Sequence, residues 1–348
     1  MNSRPHLFES LPEEIAAHLR GAGVAVRDDE ARRVLAHAMS PTAAKDEARR
    51  PLSKRLHAAV DAHFDQRRLE VVERVEDSSD GFVKYLLRSP DGALTEAVRI
   101  PLKKEGAFTV CLSSQVGCAM KCDFCATGRL GLMRNLEAWE IVDALLHVRD
   151  EAPGRVTGAV FMGQGEPFHN YDEVIRAARV LSHPCGGRIR AESITISTVG
   201  LVPQIRRFTR EGHAYKLIVS LTSADTETRL RLLPIAGKHD LADLADAIRE
   251  YAKVAHGRVT VAWVVMSGIN TGADEAKKLK ALLGDVPLIV NLIDVNDARE
   301  DGYTRASDAE RSAFIDALQI LGAPIVRRYS GGAARHAACG MLASLPQN

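Results

Sequence analysis

The sequence predicts an α/β protein in which a parallel sheet is covered by helices. Six strand-like runs follow residue 107, and amphipathic helical segments separate them: AFTVCLSS, TGAVFMG, SITISTVG, YKLIVSLTS, RVTVAWVVMSG and VPLIVNLIDVN. The runs are almost continuously apolar, as strands buried on both faces are. Such an alternation forms either an open doubly wound sheet or a full or partial barrel. In both architectures the active site lies at the C-terminal ends of the strands.

Residues 1–70 predict a small helical accessory domain in front of the sheet. The segment LPEEIAAHLRGAG places apolar residues at helical spacing, and Gly21 and Gly23 can end that helix. The basic residues of this domain form a candidate RNA contact: Arg32, Arg33, Lys45, Arg49, Arg50, Lys54, Arg55, Arg67 and Arg68. Acidic residues are interspersed among them, so an ordinary solvated helical surface is the alternative.

Residues 71–106 predict a β-hairpin that links the helical domain to the sheet. The run VKYLLRSPDGALTEAVRIP is rich in β-forming residues on both sides of a Pro-Asp-Gly turn, which indicates a hairpin from about Phe82 to Ile100. Residues 107–348 then form the third unit. It ends in PIVRRYSGGAARHAACGML, a short strand followed by a loop rich in glycine and alanine.

Composition and charge exclude several classes of protein. The 348 residues carry a formal net charge of +1, so any binding to nucleic acid depends on a local basic patch and not on a global field. The sequence has no apolar run of membrane-spanning length, and its N-terminus lacks the pattern of a signal peptide. We therefore expect a cytoplasmic protein without a membrane partner.

Four of the six cysteines fall within a short segment, which is not the pattern of a secreted disulfide framework. Cys118, Cys122 and Cys125 have C-x3-C-x2-C spacing directly after the first strand of the sheet. Three thiolates on one loop can ligate three irons of a cubane cluster and leave the fourth iron open. Zinc is the alternative, but it would need a fourth protein ligand, and no cysteine or histidine follows at finger-like spacing.

A glycine-rich motif, FMGQGEP, ends the second strand of the sheet. Gly163 and Gly165 let backbone groups approach a ligand closely, and Glu166 can accept a hydrogen bond from an ammonium group. Taken alone the motif is weak, because glycines at strand ends also form tight turns.

Together these motifs resemble one enzyme family. The three cysteines, with Phe124 before the last, resemble the signature of the radical S-adenosylmethionine (SAM) superfamily. Within it, the dual-specificity 23S rRNA and tRNA adenine-C2 methyltransferases and their adenine-C8 relatives carry similar motifs in the same order, over about residues 96 to 345: CLSSQVGCAMKCDFCATG, FMGQGEP, ITISTVG, SLTSAD, NLIDVN and AACGML.

The resemblance implies a partial (β/α)6 radical-SAM barrel that follows the accessory domain and the hairpin. It also implies one [4Fe-4S] cluster per chain, two molecules of SAM consumed per turnover, an rRNA or tRNA substrate and a flavodoxin-type electron donor. The activity it implies is methylation of an adenine carbon, and we favour carbon 2 over carbon 8. The alternatives are a radical-SAM enzyme with another RNA or non-RNA substrate, a zinc-binding RNA protein, and a paralogue that only binds RNA.

The resemblance also assigns site residues. Cys118, Cys122 and Cys125 are implied to hold the cluster, and one set is implied to bind SAM: Gly165, Glu166, Ser197, Ser220, Leu221, Thr222 and Asn296. Cys339 is implied to carry a methyl group, Cys111 to act as a resolving thiol, and Glu96 to accept a proton. From sequence alone, Cys111 and Cys339 would be buried small cysteines and Glu96 a surface strand residue.

The chain departs from the family pattern at the rim of the implied pocket. Thr222 stands where the family usually carries histidine. The residues before the final cysteine, in ARHAACG, are less acidic than those of the family pattern. Asn296 is followed by Asp297 where the family has proline. Cys185 matches no family position, and we interpret it as an incidental loop cysteine.

Overall fold

A computed structural model describes residues 4–40, 52–77, 79–255, 257–297, 299, 302–328 and 337–343. Its helices are α1 (Pro12–Gly21), α2 (Asp28–Ala38), α3 (Lys54–His63), α4 (Ala126–Leu130), α5 (Ala138–Asp150), α6 (Tyr171–Ser182), α7 (Val202–Glu211), α8 (Thr226–Leu232), α9 (Leu241–Ala252), α10 (Ala273–Leu283) and α11 (Asp308–Leu318). Among these residues, no helix combines the length and the apolarity needed to cross a membrane.

The strands are β1 (Glu70–Glu76), β2 (Val83–Arg88), β3 (Leu94–Pro101), β4 (Ala107–Leu112), β5 (Gln115–Gly117), β6 (Leu132–Asn135), β7 (Arg155–Phe161), β8 (Ile194–Thr198), β9 (Lys216–Ser220), β10 (Val259–Val265), β11 (Leu288–Asp294) and β12 (Ile325–Arg328). Ten of them form one sheet in the order β1-β2-β3-β4-β7-β8-β9-β10-β11-β12. From β4 onward every neighbouring pair is parallel.

The parallel part of the sheet confirms the predicted α/β fold. At least one helix separates each parallel strand from the next in the chain, which gives six strand–helix units and a seventh strand, β12. Among the described strands, β12 pairs with β11 alone, so the sheet does not close into a full barrel. Its core lies between the strands and the helices, where Trp263 of β10 packs against Phe314 of α11 at a centroid distance of 5.7 Å.

The predicted hairpin is formed by β2 and β3, which pair antiparallel around the Pro-Asp-Gly turn. Gly92 has a φ of 87° in this turn, which a residue with a side chain rarely adopts. The sequence pattern did not single out β1, which pairs antiparallel with β2 and places the hairpin inside a three-stranded meander. β3 therefore lies between two strands, and this position controls the burial of its side chains.

The N-terminal helices share one apolar core with the sheet and dock on α5. The ring of His6 stacks on Trp139 of α5 at a centroid distance of 4.3 Å. Asp143, which is fully buried on α5, forms an ion pair with Arg68 and accepts a hydrogen bond from the backbone N–H of Leu69 at 2.7 Å. Each buried polar group named here has an oppositely charged or hydrogen-bonding partner.

Some basic residues of the candidate RNA contact form ion pairs with acidic side chains, and others are exposed. Arg55 forms an ion pair with Glu30 at 3.3 Å, and Arg67 forms one with Asp65 at 2.6 Å. Arg32 and Lys54 are exposed. Three members of the predicted surface lie outside the described residues: Lys45, Arg49 and Arg50.

Candidate functional site

The loop that carries the three closely spaced cysteines is held by a short ribbon. β5 and β6 pair antiparallel on either side of it, and the backbone N–H of Cys118 donates to the carbonyl of Gly131 at 2.8 Å. Gly117 has a φ of 75°, and a Cβ atom there would lie 1.9 Å from the carbonyl oxygen of Gly131. A residue with a side chain would therefore push the two ends of the loop apart. The sequence pattern did not predict this ribbon.

Cys118, Cys122 and Cys125 all line one cavity at the C-terminal ends of the parallel strands. Burial raises the pKa of the Cys118 thiol to about 12 and that of Cys122 well above its usual value. A negative charge on Cys125 raises both pKa values further, so the thiols interact electrostatically. Buried thiols of this kind become thiolates when a metal centre supplies the compensating positive charge.

The arrangement of these thiols fits a cluster better than a single ion. In the part of the chain that the structure describes, no three His, Cys, Asp or Glu side chains close around one ion position. A tetrahedral zinc site requires such convergence, whereas a cubane cluster presents a separate iron to each thiolate.

The cavity has an empty volume of about 890 Å³, including its open mouth. Its walls combine the cysteine loop with the ends of β7, β8, β9 and β11 and with a turn near the C-terminus. Five of the residues that the sequence predicted for cofactor binding line it: Gly165, Glu166, Ser197, Ser220 and Asn296.

Glu166 is the more deeply buried of two carboxylates that line this cavity, the other being Asp294. Its side chain accepts hydrogen bonds from the backbone N–H groups of Phe168 at 3.0 Å and Val199 at 2.9 Å. Burial raises the pKa of Glu166 to about 7, against the opposing effect of these hydrogen bonds. Gly165 has a φ of 96°, and a Cβ there would lie 2.6 Å from the Gln115 side chain. The glycine is thus required for the close packing of this turn on β5.

Two of the other residues predicted for cofactor binding face the cavity from neighbouring strand ends, and two lie behind its wall. The hydroxyl oxygens of Ser197 and Ser220 lie 3.3 Å apart across the ends of β8 and β9. Leu221 and Thr222 are completely buried and are not among the cavity-lining residues. Thr222 has a φ of 63°, and among the described residues its buried hydroxyl has no hydrogen-bond partner.

Cys339 and Cys111 lie at one side of the cavity. Cys339 lines it, whereas Cys111 is buried on β4 among apolar side chains that include Val160 and Leu342. Burial raises the pKa of the Cys111 thiol, a negative charge on Cys339 raises it further, and the positive charge of Arg328 lowers it. The two sulfurs therefore lie within electrostatic range of each other, and both are free thiols.

The turn that carries Cys339 rests on the cysteine loop. The carbonyl of Gly340 accepts the backbone N–H of Ala126 at 2.8 Å, and the hydroxyl of Thr127 donates to the carbonyl of Leu342 at 2.7 Å. The side chain of Asn296 donates to the carbonyl of Cys339 at 3.2 Å. Residues 329–336, which precede this turn, lie outside the described residues.

Glu96 is not the surface residue that its strand pattern alone indicated, since only 2% of it is exposed. The reason is that β3 lies between β2 and β4. The Glu96 carboxylate forms an ion pair with Lys84 of β2 at 3.0 Å and accepts a hydrogen bond from Gln164 at 3.2 Å. Glu96 is not among the cavity-lining residues, and Gln164, between the two lining glycines of the FMGQGEP motif, connects it to the cavity wall.

Two buried cations beside the site, Lys84 and Arg229, were not predicted from the sequence. Lys84 could have been found from the register of the predicted hairpin, because residues on neighbouring strands with the same facing direction come within reach of each other. Arg229 lies on the short helix α8 in the run RLRLLP, where nothing in the pattern distinguishes it from the exposed Arg231.

Comparisons with known proteins agree on one family. Residues 112–279 match the model of the radical SAM superfamily. A probable RNA methyltransferase of Myxococcus xanthus is 50% identical over 85% of this chain and 82% of its own length. The dual-specificity RNA methyltransferase RlmN of Geobacter sulfurreducens is 41% identical over 78% of this chain and 74% of its own length.

A solved structure is similar over almost the whole chain. The crystal structure of a radical SAM methyltransferase from Sphaerobacter thermophilus superposes with a TM-score of 0.89 and 33% sequence identity. The match covers 98% of this chain and 100% of that one.

Proposed function

Because the chain belongs to the radical SAM RNA methyltransferases of the RlmN type, we propose that it methylates an adenine carbon, carbon 2 in preference to carbon 8, through a methylated Cys339. The observation that carries the proposal is the pairing of two free thiols at the cavity that also contains the three loop cysteines. Cys339 lines that cavity, and Cys111 lies behind it within electrostatic range.

In this proposal the protein holds both cofactors from the cavity walls. Cys118, Cys122 and Cys125 hold one [4Fe-4S] cluster, and the polar residues at the strand ends bind the methionine part of SAM: Gly165, Glu166, Ser197, Ser220 and Asn296. Leu221 and Thr222 support this wall from the buried side. When bound, the cluster and SAM supply the radical that activates the methyl group. Two molecules of SAM are consumed in each turnover, one as the methyl donor and one as the radical source.

Cys339 accepts the methyl group, and its sulfur becomes bonded to adenine through that carbon. Cys111 then attacks the sulfur of Cys339 as a thiolate. The carbon–sulfur bond breaks as the disulfide forms, its electron pair goes to the methylene carbon, and that carbon takes up a proton to become the methyl group of the product. A two-electron reductant then restores both thiols. This order of reaction steps explains why a second cysteine, Cys111, lies near Cys339 in an otherwise apolar cluster.

Glu96 accepts the proton that adenine must lose to become aromatic again. The neighbouring ammonium group of Lys84 stabilises the carboxylate, which is the form that can accept a proton. Gln164 donates to the same carboxylate and connects it to the glycine motif of the cavity wall. The Lys84–Glu96 pair is therefore proposed to position the base as well as to stabilise the meander.

The other parts of the chain have supporting roles in the proposal. Residues 1–70 form an accessory domain with a possible RNA contact, residues 71–106 a hairpin linker, and residues 107–348 the barrel with its catalytic loop. The substrate is 23S rRNA, tRNA or both. A flavodoxin-type protein donates the electrons, and the reaction takes place in the cytoplasm.

The test is a search for one missing nucleoside. Total RNA from a strain that lacks the gene is digested and compared with RNA from strains complemented with the wild-type gene or with Cys339→Ala. We expect 2-methyladenosine to be lost and to return only with the wild-type gene. A loss of 8-methyladenosine would assign the other carbon, and unchanged methyladenosines would contradict the proposal.

A further inference from the structure

Arg229 of α8 is a buried cation whose hydrogen bonds all go to neutral groups. Only 3% of the residue is exposed. Its guanidinium donates to the carbonyl oxygens of Val199 at 2.6 Å and Ser220 at 3.1 Å, and to that of Leu221. These carbonyls lie at or just beyond the ends of β8 and β9, so Arg229 lies behind the cavity wall that carries Ser197 and Ser220.

The other buried arginines of the described residues have carboxylate partners. Arg99 pairs with Glu76 at 3.7 Å, and Arg311 pairs with Asp294 at 3.2 Å. Arg229 has no carboxylate within 4.0 Å in the part of the chain that the structure describes. A buried charge that lacks a counter-charge is costly, and carbonyl dipoles offset only part of that cost.

The helix that carries this charge, α8, packs against the cysteine loop. The carbonyl of Leu232, at the end of α8, accepts the backbone N–H of Asp123 at 3.1 Å, so the helix packs on the loop next to Cys122. Burial lowers the pKa of Arg229 to about 10, and a negative charge on Cys122 opposes this lowering. Arg229 is therefore charged at neutral pH.

We propose that Arg229 is the counter-charge of the iron–sulfur cluster and raises the potential at which the cluster accepts its electron. Three thiolates make the cluster anionic, and one electron from a low-potential donor adds a further negative charge. A fixed cation in a low-dielectric wall stabilises the reduced form more than the oxidised form. The inference rests on the proposed cluster site and makes Arg229 a positioning residue that does not contact the substrate.

The test is a redox titration of the reconstituted full-length protein, followed by electron paramagnetic resonance. The neutral variant is Arg229→Gln, the charge-retaining variant is Arg229→Lys, and Arg231→Gln on the exposed face of α8 is the matched control. At the wild-type midpoint potential, we expect the ratio of reduced to oxidised cluster to fall about tenfold in Arg229→Gln, which is about 59 mV for a one-electron couple. The midpoint potential of Arg229→Lys should remain close to that of the wild type, and that of Arg231→Gln should equal the wild-type value.

A wild-type midpoint potential in fully loaded Arg229→Gln would overturn the proposal. Thermal unfolding without the cluster provides the second measurement. Because the charge is uncompensated in that state, cluster-free Arg229→Gln should fold and should be no less stable than the cluster-free wild type. A variant that cannot fold even without the cluster would show that Arg229 serves the fold, which also overturns the proposal. RNA methylation enters neither readout, so failure of the methylation proposal would leave this test valid.

Discussion

The interface between the N-terminal segment and α5 contrasts with the cavity at the ends of the strands. At the interface, Asp143 is fully buried but pairs with Arg68, and elsewhere on α5 the buried Glu140 pairs with Arg134 of β6 at 2.8 Å. At the cavity, Arg229 is also buried, but among the described residues no carboxylate lies within ion-pair distance of its guanidinium. Compensated buried charge is part of the architecture, whereas uncompensated buried charge marks where a ligand belongs.

The largest expected effect comes from removing a thiol of the cavity. Cys122→Ala should lose the iron–sulfur absorption and all methylation, because two thiols cannot retain a cubane cluster against loss of iron. Iron analysis and visible spectra of anaerobically reconstituted protein measure this. Cys185→Ala is the control outside the cavity and should load like wild type. Stoichiometric zinc without iron–sulfur absorption in the wild-type protein would contradict the account.

The buried Lys84–Glu96 pair, which Gln164 connects to the cavity wall, tests whether charge there serves chemistry or stability. Glu96→Gln should slow methylation by about 10²- to 10⁴-fold, because it removes the proposed proton acceptor. It also leaves Lys84 buried without its counter-charge, which should destabilise the protein by about 3 to 5 kcal/mol. The double variant Lys84→Met with Glu96→Gln should recover much of the stability and none of the rate. Recovery of the rate would show that Glu96 is only structural.

At the interface, breaking a compensated pair should affect stability and leave the cavity intact. Asp143→Ala leaves Arg68 without its partner and the Leu69 N–H without its acceptor, so we expect a loss of about 3 kcal/mol. Cluster loading and SAM binding at low temperature should not change. Denaturant unfolding measures the stability, absorbance measures cluster loading, and equilibrium dialysis measures SAM binding. Loss of SAM binding in a folded variant would mean that the two regions are not independent.

The smallest effect is a pH dependence at the same interface. Burial raises the pKa of Glu9 to about 7, and the neighbouring carboxylates of Glu173 and Glu137 add to the shift, while Arg176 opposes it. Since the folded value lies above the ordinary 4.5, the stability that Glu9 contributes is complete below pH 4.5 and is lost as the pH rises toward 7. Wild type should lose about 1 to 2 kcal/mol relative to Glu9→Gln over this range, after allowance for solvent screening. The exposed Glu13→Gln should show no such difference.

The sequence was sufficient to predict features that depend only on the residues of a short segment. The six apolar runs predicted the parallel strands, and the spacing of Cys118, Cys122 and Cys125 predicted three thiols on one loop, because both are properties of short segments. The burial of Glu96 and the contacts of Arg229 could not be predicted, because they depend on which strands and helices become neighbours. The same reason applies to β1, β5 and β6, whose partners are set by tertiary packing and not by their own weak patterns.

The proposed reaction has one step that few other enzymes require, which is the release of a protein–RNA adduct by Cys111. Cys111→Ala should still form the bond between Cys339 and adenine but should not break it, so the purified variant should carry RNA through a denaturing gel after a high-salt wash. Salt removes RNA held by phosphate contacts and leaves a carbon–sulfur bond intact. Cys339→Ala and the double variant should carry none. A Cys111→Ala protein that turns over normally and has no nuclease-sensitive slow band would contradict the two-cysteine account.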